Sequence, residues 1–134
     1  MRLPKLAPNE YAWVPVFGSR RIKLGPAAAK LPVDELAAVI AHEDAHVKLH
    51  HTRQRWKWAL AFIFRRIDLE TLRGLCWSQE LQADRWAAEA GCGPALIRFI
   101  RRRHPDESGM WHPPASMRLA HLAQYETEAS DGTR

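Results

Sequence analysis

Apolar positions recur along most of this chain at the three-to-four-residue spacing of helices, and they alternate only briefly near its start. Residues 13–17 (WVPVF) and 21–24 (RIKL) read as two short strands joined at Gly18-Ser19. Pro15 lacks a ladder donor and pushes the first strand to an edge, and Gly25-Pro26 breaks the second. Residues 1–12 hold Pro4 and Pro8 without periodicity and read as an arm. A helix is predicted over 32–50: Pro32 suits its first position, Asp34 and Glu35 complement the positive end of its dipole, and Leu36, Val39, Ile40 and Val47 form its buried stripe. Further helices are predicted over 53–67, over 69–89 with a stop at Gly91, over 94–103 and over 115–127. The polar residues 128–134 read as a flexible tail. The fold class is α+β, a small twisted β-sheet at the N-terminal side of a mainly helical body.

Composition narrows this. A chain of 134 residues, 46% hydrophobic and 26% charged, fits one folded domain over 1–134 and argues against disorder. The net charge of +5 is scattered. Arg101-Arg102-Arg103 is the longest basic run and reads as a solvated face; no aromatic-interleaved basic stripe accompanies it, so no nucleic-acid partner is expected. Acidic peptides or an anionic membrane surface fit the charge at least as well. Cys76 and Cys92 form neither a disulfide framework nor a thiolate zinc site, and the first residues lack a signal peptide's apolar run, so a reducing cytoplasm is expected. Residues 56–64 (WKWALAFIF) are less than half a bilayer span. They are read as a helix whose aromatic residues pack into the core; the alternative is peripheral membrane contact through 53–66.

The candidate chemistry begins at His42-Glu43-Asp44-Ala45-His46. Two imidazoles four residues apart on a helix lie on one face and can grip one Zn²⁺, with Glu43 close to a water on that ion. A hydrolytic site needs a third protein ligand and one open position. Glu80 is the best candidate, because Asp84 follows one turn later on the same face and can accept a hydrogen bond from a ligand histidine. His50 shares a face with His42 and His46, but three consecutive turns of one straight helix rarely converge on one ion. Cys76, one turn before Glu80, reads as a buried thiol, and His51 as solvent-exposed.

With these residues in view, the stretch 34–46 (DELAAVIAHEDAH) resembles the signature helix of the HtpX and CAAX prenyl protease type of zinc metallopeptidases. Residues 78–88 (SQELQADRWAA) look like that family's third-ligand helix, 112–119 (HPPASMRL) are similar to its C-terminal element, and 16–24 look like its strand pair. Members carry transmembrane helices before the first motif and between the first and second. No run here reaches that length, so the chain looks like a minimal soluble gluzincin with a zincin-like fold.

The resemblance implies a zinc endopeptidase with one Zn²⁺ per chain, held by His42, His46 and Glu80, and with a peptide or protein substrate. Glu43 takes a proton from the attacking water and delivers it to the leaving amine. By its match to the family's C-terminal histidine, His112 is the candidate donor to the oxyanion, and Arg118 supports the cleft by pairing with carboxylates. Substrate would lie extended along one of the two strands, and the arm 1–12 or the segment after Tyr125 could lie across the cleft as in a zymogen. Two alternatives remain open: a regulatory metalloprotease of the ImmA/IrrE type, and a zinc-stabilised binding module without catalysis.

Overall fold

The computed structural model describes residues 11–13, 21–103 and 109–132. Five α-helices follow one another in it: α1 (Val33–Lys48), α2 (His51–Ile63), α3 (Leu69–Ala87), α4 (Gly93–Arg103) and α5 (Ala115–Asp131). A 3-10 turn, Pro26–Lys30, leads into α1.

Helix α1 buries Glu35, Ala38, Val39, His42, Ala45 and His46, a stripe stepping by threes and fours. Of the expected apolar stripe only Val39 is fully buried; Leu36, Ile40 and Val47 lie at its margins. The centre is occupied instead by small and polar residues, because α3 packs directly against it. Helix α3 answers with Leu72, Cys76, Gln79, Glu80, Ala83, Asp84 and Ala87. Ala38, Ala45, Cys76, Ala83 and Ala87 are all fully buried, and side chains this small let the two helices approach closely. That closeness brings histidines on α1 within reach of carboxylates on α3.

The apolar core lies to one side of this seam. There Val39, Ala87 and Ala88 meet Leu96, Phe99 and Ile100 of α4 and Ala115 and Leu122 of α5. Tyr11 closes the core from the N-terminal side, edge-on to Phe99 with ring centroids 5.0 Å apart. The residue expected in the arm is thus part of the packing. The chain leaves α3 through a wide turn, Ala88–Cys92, in which Gly91 takes the left-handed conformation (φ 87°) that favours glycine.

Three expectations are corrected, and a fourth, the sheet, is seen only in part. The sheet is reduced among the described residues to Ala12–Trp13 paired antiparallel with Lys23–Leu24, Ala12 opposite Leu24. Residues 14–20 lie outside the described set, and Arg21 and Ile22 precede the second strand. The tail expected from 128 is instead the last turn of α5, which runs to Asp131. There Thr127 and Ser130 hydroxyls donate to the carbonyls of Ala123 and Glu126, four residues back. The basic run is not a free solvated face. Arg102 and Arg103 pair with the fully buried Glu35 and Arg98 pairs with Asp34, so cations at the C-terminal end of α4 hold the acidic first turn of α1.

The last correction concerns α2. Its aromatic and aliphatic residues do not pack into the core: Ile63 is 65% exposed, and Trp56, Leu60, Phe62 and Phe64 are exposed as well. Only His51 is fully buried on this helix, and Arg55 also reaches α3. The inward face carries His51 and Arg55 beside the half-buried Trp58, and the stripe of Trp56, Leu60 and Ile63 points outward.

Candidate metal centre

The Nε2 atoms of His42 and His46 lie 3.2 Å apart. Glu80 Oε2 is 3.2 Å from His42 Nε2, and Glu80 Oε1 is 3.3 Å from His46 Nε2. The two carboxylate oxygens thus each face one imidazole nitrogen, and one ligand atom from each of the three residues lies within 4.8 Å of the others, a triangle close enough to share one ion. Among the described residues it is the one group of three or more His, Cys, Asp or Glu whose ligand atoms gather this closely, and all three residues are buried.

The hydrogen bonds around the triangle fix which nitrogen of each ring carries a proton. Asp84 Oδ1 accepts from His42 Nδ1 at 2.8 Å, which turns His42 Nε2 toward the triangle. Asp84 is held by Arg118, whose Nε and Nη2 donate to its two oxygens at 2.8 and 2.6 Å. On the other side, His51 Nε2 donates to Gln82 Oε1 at 3.0 Å, so the neutral His51 ring accepts at Nδ1. The partner is His46 Nδ1, 2.8 Å away, and His46 therefore presents a lone pair at Nε2. A proton on His42 Nε2, or a cation bound in its place, satisfies the His46 nitrogen and the Glu80 carboxylate that face it. The donor set fits a divalent ion of the zinc type.

Electrostatics follow the same plan. Burial opposes protonation of His42, yet its bonds to Asp84 and Glu80 outweigh that and raise its pKa to about 10. Burial dominates at His46, with its pKa lowered to about 4, and also lowers that of His51. Burial alone would raise Glu80, but its bonds with His112, His42 and His46 bring it well below the ordinary carboxylate range. Asp84 is likewise lowered against burial, chiefly by the Arg118 charge. Glu43 is partly buried, and burial pushes its carboxyl above the ordinary carboxylate range.

The structure brings together His42, His46, Glu80, Asp84 and Arg118, and it adds His112. That residue precedes α5 and places Nδ1 3.2 Å from Glu80 Oε2, with its side chain 58% exposed. It marks the side on which the centre meets solvent. The rivals stay apart: His50 is exposed, with left-handed φ of 56°, and Cys76 is a fully buried thiol whose pKa burial raises.

Sequence reasoning missed two contributors. His51, expected in solvent, is 1% exposed and orients His46. Arg55 donates through Nη2 to Glu80 Oε1 at 2.6 Å and through Nε to Gln79 Oε1 at 2.8 Å. Gln79 in turn donates to Gln54 Oε1 and the His51 carbonyl, so α2 is pinned to the third-ligand helix by polar groups. The available signal was the spacing: His51 and Arg55 fall one turn apart, on the face opposite the apolar stripe. Of the segments considered for lying across the cleft, 1–10 is outside the described residues, and 126–131 continues α5. Comparison of the chain with family models, curated proteins and solved structures gives no match.

Proposed function

We propose that this chain is a zinc-dependent endopeptidase, with a zincin-like arrangement of the two ligand helices. The observation that carries this reading is the buried cluster of His42 Nε2, His46 Nε2 and the Glu80 carboxylate, with Glu43 on the same helix as the two histidines. The order of the three motifs, which resembles that of the HtpX and CAAX prenyl protease type, supports it. A structural zinc site normally takes four protein ligands, whereas three gather here among the described residues.

His42, His46 and Glu80 would hold the ion. When bound, it would lower the pKa of water and polarise the scissile carbonyl. The chain's residues do the rest. Glu43, its proton affinity raised by burial, takes the proton of the attacking water and returns it to the leaving amine. Asp84 and His51 hold the two imidazoles by Nδ1, so that both Nε2 atoms face the ion site, where binding would displace the proton from His42 Nε2. His112, exposed beside Glu80, would donate to the oxygen that gains negative charge. Arg118 holds Asp84 and does not need to meet the substrate.

The test joins metal analysis to a peptide-library digest. Wild type should carry one zinc per chain and cut peptides, Glu80→Ala should lose the metal, and Glu43→Gln should keep it without turnover. Near-normal cleavage by Glu43→Gln would sink the mechanism.

A further inference from the structure

We infer that the outer face of α2 and the turn after it form a docking surface for an anionic lipid bilayer. The inference goes beyond the proposed hydrolase and does not depend on a metal.

Leu60, Ile63 and Phe64 are 48, 65 and 72% exposed, and with the exposed Trp56 they follow the i, i+4, i+7, i+8 spacing of one helix stripe. The stripe spans roughly 100° of arc. His51 and Arg55, which hold the metal centre, lie on the opposite side. The apolar residues are therefore turned outward by the same polar pins that anchor the helix. Their exposure grows toward the end of α2, and Phe64 begins a turn in which Arg65 takes the left-handed conformation (φ 54°).

Charge selects the occupant. Arg53, Lys57, Arg65 and Arg66 are exposed around the stripe, and no acidic residue occurs between Asp44 and Asp68. A second copy of the chain would bring like charges together across a two-fold axis. A protruding ridge of Trp, Leu, Ile and Phe rimmed by Arg and Lys has the composition that lies in a headgroup layer, apolar side down. Spanning is not an option. At 13 residues α2 is about 20 Å long, short of a hydrocarbon core of about 30 Å. Among the described residues no helix is long and apolar enough to cross a membrane.

Vesicle flotation of the full chain tests this, with phosphatidylcholine alone and with phosphatidylcholine–phosphatidylglycerol mixtures. Wild type should float with the anionic vesicles only and be released by salt. The double variant Arg65→Gln, Arg66→Gln should lose on the order of fivefold in partition per charge removed. Ile63→Ser with Phe64→Ser should lose about tenfold or more. All four side chains are exposed, so circular dichroism should show both variants folded. Absence of flotation, or flotation that neither variant weakens, overturns the inference. So does a lipid-free dimer that Phe64→Ser makes monomeric, since a second copy then takes the face. Binding to polyglutamate but not to vesicles overturns it in favour of an acidic protein.

Discussion

His46 and His51 meet through their Nδ1 atoms at 2.8 Å, and that contact determines what His46 can do at its other nitrogen. A neutral imidazole carries one proton. With His51 Nε2 donating to Gln82, His51 Nδ1 accepts, His46 Nδ1 donates, and His46 Nε2 is left bare. The pairing also explains why α2 starts where it does. The left-handed residue His50 turns the chain so that His51 falls back against α1.

Replacing His51 with Phe should therefore weaken zinc binding by about 10–100-fold with little change in helix content, because the ring of His46 loses the partner that orients it. Competition with a chromogenic chelator measures this. Unchanged affinity would show that His46 needs no such partner.

The Asp84–Arg118 pair should matter most for stability. Both side chains are buried and joined by two hydrogen bonds, and removal of Arg118 leaves the buried Asp84 carboxylate with His42 as its remaining partner. Arg118→Met should cost about 3–5 kcal/mol in urea unfolding. Adding Asp84→Asn should recover part of that loss, since no buried charge is then left alone. A double variant no more stable than Arg118→Met would contradict a direct coupling.

His112 separates chemistry from metal binding. His112→Ala should retain zinc and lower kcat more than KM, since the side chain touches Glu80 from the solvent side without belonging to the triangle. A variant with normal kcat removes His112 from the mechanism.

Gly91→Ala isolates a backbone effect. Nothing lies within 4 Å of the added methyl, so any cost comes from the left-handed φ of 87° and should be about 1–2 kcal/mol. Thermal unfolding of the metal-free chain reads it directly; an unchanged midpoint would mean that the 88–92 turn adopts another conformation at no cost.

The sequence by itself determined the order and approximate limits of the five helices, because hydrophobic spacing, Pro32 and Gly91 are local signals. It also put His42 with His46 and Glu80 with Asp84, since residues four apart on a helix share a face whatever the fold does. Tertiary structure alone decided how those faces meet. The small residues at the α1–α3 seam set the approach that closes the triangle, and no local pattern encodes the distance between two helices. The same holds for the direction of α2. Its apolar stripe and its polar face are both legible in the sequence, but which one turns inward depends on the partner. Here the partner is a polar centre, with Glu80 and Gln79 requiring Arg55 and His46 requiring His51. An unsatisfied buried charge costs more than an exposed aromatic residue, and so the helix presents Leu60, Ile63 and Phe64 to the outside.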